Sequence, residues 1–279
     1  MAAIKALFSD IDGTAIRSDH TMSSAVARSF RDCMDRGCTV VLASSRSPQG
    51  MMPLVRSNGL EGVWISAYGG GLLVDGCGRT LAEHGFSRTL ALSIVQFVEE
   101  RFGDAAAAGV YTARHWYVKS RKDPRIAREE RIVQTTSQEG GPEALEENET
   151  VGKILFICRP EATLSVRDAL RQRFGALHDS TSSDILVEVN AAGISKATAV
   201  DDVCSQLGID PASTAAIGDA ANDLPMLDAA GIAIAMGNAV PAVKEKADFV
   251  CGTNDEDGVA EACTRLWKSE LISRKQDLI

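Results

Sequence analysis

IKALFSDIDGT, residues 4–14, is an apolar run of strand length that stops at two aspartates and a glycine turn. The segments just downstream set the architecture. Residues 23–36 place Val26, Phe30, Cys33 and Met34 at helical spacing, with Ser23 as the N-cap and Gly37 as the stop. CTVVLA at 38–43 is almost continuously apolar, as a strand covered on both faces must be, and VWIS at 63–66 repeats that character. Strand, helix and strand in alternation predict an open parallel α/β sheet of the Rossmann-like kind.

The middle third reads differently. Residues 88–103 predict a helix ended by Gly103, and VYTARHWYV at 110–118 predicts an antiparallel hairpin. A stretch rich in Lys and Arg follows at 119–131, then a polar loop at 137–150. A strand (153–158), a helix (161–174) and a strand (185–189) complete the segment, which reads as an α+β insert with its own small sheet. After Gly193 the first texture returns. A helix is expected over 195–207 with Gly208 as its stop, then a strand at 214–217. Pro225 sits in the first turn of a helix starting at 222, where proline is tolerated. Strands at 232–235 and 248–250 and a closing helix at 258–268 follow. The expected division is a core of 1–83 and 188–279 and an inserted α+β cap of 84–187.

Composition excludes several classes. The 29 basic and 38 acidic side chains leave a net charge of −9, which argues against nucleic acid as a partner. No apolar run reaches the roughly 18 residues of a membrane span. The start of the chain lacks the charged and apolar regions of a leader, so a cytoplasmic location is expected. The seven cysteines form no CxxC pair and read as buried small hydrophobes. His20, His84, His115 and His178 show no metal-binding spacing.

Chemistry-bearing residues fall at the C-terminal ends of predicted strands, where open α/β sheets bind ligands. Asp10 and Asp12 lie two apart in a glycine-containing turn, so one carboxylate can attack while the other gives and takes a proton; the plain alternative is a solvated acidic turn. Ser44 and Ser45 offer hydroxyls and backbone N–H groups suited to a phosphate oxygen, or serve only as a cap. Lys196 opens a helix and by itself reads as a surface lysine. Asp219, Asn222 and Asp223 in GDAAND supply the oxygen donors that Mg²⁺ prefers.

In this order the residues resemble the haloacid dehalogenase superfamily of phosphohydrolases. The likeness is greatest to its Cof-type sugar-phosphate phosphatases. It rests on DIDGT at 10–14, ASSR at 43–46, NAAGISKATAV at 190–200 and GDAANDLPML at 218–227. AMGNA at 235–239 and NDEDGV at 254–259 add the subfamily's C-terminal pattern. Only 34 residues separate Asp10 from Ser44, whereas 152 separate Ser44 from Lys196, so a cap has room only in the second interval.

The resemblance implies an Mg²⁺-dependent phosphatase of small phosphorylated metabolites, sugar phosphates foremost, acting as a monomer or homodimer. It implies Asp10 as nucleophile and Asp12 as general acid and base. The metal would be held by Asp10, the Asp12 carbonyl and Asp219, with Asp223 direct or through water. Ser44, Ser45, Lys196 and Asn222 would contact the phosphoryl group, and the cap would close over the core and select substrate. Two positions depart from the pattern. Ser45 stands where the subfamily usually has Gly, and either narrows the phosphate approach or adds a donor. Tyr68 stands where an Asn-Gly pair is usual, and either stacks on a substrate ring or fills a hinge. Of the basic residues Lys119, Arg121, Lys122, Arg125, Arg128 and Arg131, a solvated face is the plainer expectation and an anion contact the alternative. Trp116 and Tyr117 beside them suit core packing or a cap lining equally. Other readings are a phosphomutase on this scaffold and a catalytically silent sensor of phosphometabolites.

Overall fold

The structure is a computed structural model that describes residues 4–175 and 178–276. Residues 1–3, part of the start read as leaderless, lie outside the described residues, and so does the side chain of His178. In chain order the elements are β1 (Ala6–Asp10), α1 (Ser24–Asp35), β2 (Thr39–Ala43), α2 (Pro48–Ser57), β3 (Trp64–Ala67), β4 (Leu72–Val74), β5 (Thr80–Glu83) and α3 (Arg88–Phe102). Then come β6 (Ala106–Thr112), β7 (Trp116–Val118), α4 (Pro124–Val133), β8 (Gln138–Glu139), β9 (Val151–Cys158), α5 (Thr163–Phe174), β10 (His178–Ser183) and β11 (Leu186–Asn190). The last are α6 (Lys196–Leu207), β12 (Thr214–Gly218), α7 (Leu224–Ala229), β13 (Ile232–Ala235), α8 (Pro241–Lys246), β14 (Phe249–Val250) and α9 (Gly258–Gln276). Among the described residues, no helix is long and apolar enough to cross a membrane.

The chain forms two compact units. One comprises Met1–Ser45, Met51–Leu81 and Ser195–Ile279; the other comprises Arg46–Gly50 and Ala82–Ile194. The sheet of the first runs β14-β13-β12-β1-β2-β3-β4-β5. Its pairings are parallel from β14 to β3, and β4 turns back antiparallel on β3. This is the Rossmann-like α/β core that the sequence predicts. β1 is buried at every position, which is why its sequence carries no polar alternation before Ser9. Caps set the helix ends. Ser23 Oγ accepts the Val26 N–H at the start of α1, and Gly208 closes α6 in the left-handed conformation.

The second unit carries a six-stranded sheet in the order β10-β11-β9-β6-β7-β8, antiparallel except between β7 and β8. One face packs under α3 and α5 through Val95, Val98, Ile154, Phe156, Val166 and Val187. β11 pairs with β9, so this sheet runs past residue 187. The Lys/Arg-rich stretch is not merely a charged face. Asp123 caps a helix with Pro124 at its first position, and Ile126 buries the inner side. Lys119, Arg121 and Arg125 are paired with Glu99, Glu130 and Asp123. Trp116 and Tyr117 are buried, Trp116 stacked on Tyr111 at 5.1 Å. The expected loop at 137–150 contains β8 and a short 3₁₀ turn. All seven cysteines are free thiols, and Cys77 departs from expectation by being exposed, in the turn between β4 and β5.

Candidate active site

Parallel register gathers the site. Asp10 ends β1 opposite Ala43 of β2, so Ser44 follows one residue past its neighbour. On the other side Ser9 pairs with Ile217, so Asp219 begins the loop two residues beyond. Lys196 is the first residue of α6, fixed by a capping box on Ser195. Asp10, Lys196 and Asp219, far apart in sequence, thereby meet at the C-terminal ends of the central strands, with Ser44 on the neighbouring strand end.

Lys196 Nζ donates to Asp10 Oδ1 at 2.5 Å and to Asp223 Oδ1 at 2.6 Å. The ammonium is 2% exposed and the Asp223 carboxylate is fully buried. A buried lysine alone would lose its proton, but here the two carboxylates outweigh burial and hold its pKa above the ordinary value. Asp10 feels the opposite balance. Burial pushes its carboxyl up to about 7, helped by the charge on Asp223 and opposed by Lys196. Burial likewise raises Asp219, against a hydrogen bond from Thr14 Oγ1 at 3.0 Å.

Asp10, Asp219 and Asp223 each present an oxygen within 4.8 Å of the others. Three carboxylates share one ammonium, so the cluster is short of positive charge. That deficit and the all-oxygen donor set fit a hard divalent cation. Asp223 has the least to offer it, because Oδ2 already accepts the Asp219 and Ala220 N–H groups at 3.0 Å each.

Two glycines make the close approach possible. Gly13 has φ +80°, and a Cβ there would collide with the Asp219 carboxylate. A Cβ on Gly218 would lie 2.5 Å from Asp223 Cβ.

The remaining expected residues are less concentrated. Ser44 is buried beside the end of β1, its N–H donating to the Ser66 carbonyl at 2.9 Å; Ser45 is half-buried. Asn222 stands exposed in the 3₁₀ turn of residues 221–223. Asp12 does not join the carboxylate cluster through its side chain, which is exposed and lines a cleft of about 370 Å³ with Arg17, Asn238 and Asn254. Thr14, the last residue of DIDGT, is a site residue that sequence reasoning misses; its bond to Asp219 crosses 205 residues and leaves no local signature.

The fold and the site define an α/β protein whose parallel strands end at a buried lysine among three clustered carboxylates. The family model for haloacid dehalogenase-like hydrolases matches residues 7–263, and the chain belongs to that family. It is 28% identical over 259 residues to the 5-amino-6-(5-phospho-D-ribitylamino)uracil phosphatase YcsE of Bacillus subtilis, covering 93% of this chain and 94% of that one. It is 27% identical to the phosphatase YwpJ of the same organism, covering 94% of this chain and all of that one. A solved haloacid dehalogenase-like hydrolase from Bacteroides thetaiotaomicron matches with a TM-score of 0.85 and 27% identity, over 94% of this chain and 99% of that chain.

Proposed function

We propose that this hydrolase is a phosphatase that cleaves phosphate monoesters of small metabolites, sugar and polyol phosphates foremost. The observation that carries the reading is the buried Asp10 carboxylate held by Lys196 at a strand end beside two further carboxylates. Asp10 attacks phosphorus, the P–O ester bond breaks, and an aspartyl-phosphate forms on its carboxylate. Asp12 gives its proton to the departing oxygen. It then takes a proton from the water that attacks the aspartyl-phosphate, so that phosphate leaves and both aspartates return to their starting states. Lys196 neutralises Asp10 and the phosphoryl oxygens, and Ser44, Ser45 and Asn222 donate to the same group. Asp10, the Asp12 carbonyl and Asp219 would hold Mg²⁺, with Asp223 orienting Lys196 and the Asp219 loop. Bound there, Mg²⁺ would supply Lewis-acid stabilisation of charge on the phosphoryl oxygens. The second unit, residues 82–194 with 46–50, would act as the cap that selects the leaving group.

The test is phosphate release from a panel of sugar, polyol, nucleoside and pyridoxal phosphates, with and without Mg²⁺. The panel includes the ribityl phosphate named for the relative YcsE. Asp10→Asn, isosteric at the buried position, is expected to abolish turnover and leave the fold intact. Near-normal activity in that variant would remove the assignment. An isomer formed without free phosphate would indicate a mutase instead.

A further inference from the structure

The two C-terminal motifs, AMGNA and NDEDGV, contribute no group to the proposed reaction. The structure gives them another task. The Asn238 side chain, in the loop after β13, donates from Nδ2 to the Gly13 carbonyl at 2.8 Å. Its Oδ1 accepts the Asn254 N–H at 3.0 Å, and Asn254 Nδ2 donates onward to the Ile16 carbonyl at 3.0 Å. Two carboxamides thus form one relay from Gly13 to Ile16 across the loops that follow β1, β13 and β14. The flanking acidic residues extend the grip. Asp255 accepts both the N–H and the Oγ–H of Ser18, and Asp257 accepts from Arg17 at 2.9 Å. The loop of Asn238 also holds the far side of the site, since the Val240 N–H donates to the Asp219 carbonyl at 2.9 Å.

These bonds bear on Asp12. Gly13 is its chain neighbour and adopts φ +80°, a conformation with little intrinsic preference to hold it in place. The Asp12 side chain is exposed on the wall of the cleft that Asn238 and Asn254 help line. An exposed carboxylate on a left-handed turn needs its backbone fixed from outside if it is to meet a reacting oxygen within hydrogen-bond reach. We infer that Asn238 and Asn254 are positioning residues for Asp12: their relay fixes the Gly13 and Ile16 carbonyls and so aims the general acid. This inference rests on the role proposed for Asp12.

The experiment compares kcat/KM for p-nitrophenyl phosphate with that for the best alkyl phosphate of the panel. Nitrophenolate departs with little need of a proton, whereas an alkoxide needs one, so a misaimed general acid penalises only the alkyl ester. Asn238→Ala is the working variant, because Asn238 is exposed and its loss leaves no buried cavity. Asn238→Asp keeps the shape and the acceptor for the Asn254 N–H but removes the donor to Gly13. Both are expected to lower kcat/KM for the alkyl ester by about 10- to 100-fold, and for the aryl ester by less than about 3-fold. Thermal midpoints should stay near that of the parent. Asn254→Ala should show the same split, and the double variant Asn238→Ala/Asn254→Ala should lose less than the product of the singles, because both act through one relay. An equal fall on both esters, or no fall, overturns the inference. Asp12→Asn is the reference. If it shows no preference for the alkyl ester, the reading of Asp12 as general acid fails and this inference falls with it. If it shows a strong one while the Asn238 variants do not, only the inference fails.

Discussion

Replacing Asp223 with asparagine should destabilise the protein strongly, while the same change at Asp219, four residues earlier, should not. Asp223 is fully buried and accepts three hydrogen bonds: Lys196 Nζ at 2.6 Å and the Asp219 and Ala220 N–H groups at 3.0 Å each. A carboxamide has one acceptor oxygen. If that oxygen faces the two amides, the new NH₂ points at the ammonium, donor against donor. Turned the other way, it opposes the amides. Removing one partner of a buried ion pair costs about 3–5 kcal/mol. At roughly 2–4 °C per kcal/mol for a chain of this size, the thermal midpoint should fall by about 6–20 °C. Asp219 is half-buried, its side chain takes one hydrogen bond from Thr14, and burial raises its pKa. A carboxylate whose folded pKa is raised costs stability as pH rises past its ordinary value, and in full above the folded one. A neutral amide removes that cost, so in metal-free buffer near pH 7 the midpoint should hold or rise. Phosphate release should nevertheless fall by at least about 10²-fold in both variants, since each loses a charge from the reacting cluster. Thermal unfolding of the two variants beside the parent decides the matter. A midpoint for Asp223→Asn within about 2 °C of the parent would refute the idea that Asp223 is the structural anchor of the site.

Two further predictions concern backbone and surface charge. Gly13→Ala adds a Cβ that collides with the Asp219 carboxylate in a left-handed conformation. It should cost about 1–3 kcal/mol in unfolding and, through the proposed metal site, raise the Mg²⁺ concentration needed for half-maximal phosphate release. Glu130 accepts from Arg121 Nε and from Ser137 N and Oγ, and Arg121 foremost holds its carboxyl down to about 2. Its folded pKa lies below the unfolded value, so its contribution is present above about pH 4.5 and is lost as pH falls toward 2. Glu130→Gln should therefore be less stable than the parent at pH 7 and converge with it on acidification, read by urea midpoints across that range.

The sequence announces the core because buried parallel strands and their caps leave strong signals. β1, β2, β3, β12 and β13 are apolar runs, and α1 and α6 begin at Ser23 and Ser195 as expected. The elements that escape reading lack such signals. α2 contains Pro48, Gly50 and Pro53, any of which argues for a loop. β10 is the wholly polar HDSTSS. α4 was legible in principle, since Asp123-Pro124 is an N-cap followed by a proline at the first helical position. In the site, Asp10, Asp219 and Asp223 could be named from spacing and strand ends, whereas Lys196 reads alone as a surface lysine and takes a role only through the resemblance. The bonds among them could not, because pairing across some 200 residues is written by sheet register and not by local pattern. The carboxamide relay of Asn238 and Asn254 escapes for the same reason.

Tyr68 illustrates how a departure from a motif acquires meaning once the backbone is known. It has φ +56°, a left-handed conformation that glycine and asparagine tolerate and other residues adopt at a cost of about 1–2 kcal/mol. Asparagine would suit this turn better than tyrosine does. A tyrosine persists only if something offsets the strain. Its side chain is 1% exposed, the largest fully buried one among the described residues, and burying such a ring contributes on the order of 1.5–3 kcal/mol. Packing therefore outweighs the turn's own preference. Of the two readings open from sequence, a ring stacked on a substrate ring and a ring that fills a hinge, the burial accords with the second. At this strand end a buried ring stands in a turn whose backbone alone would favour glycine or asparagine.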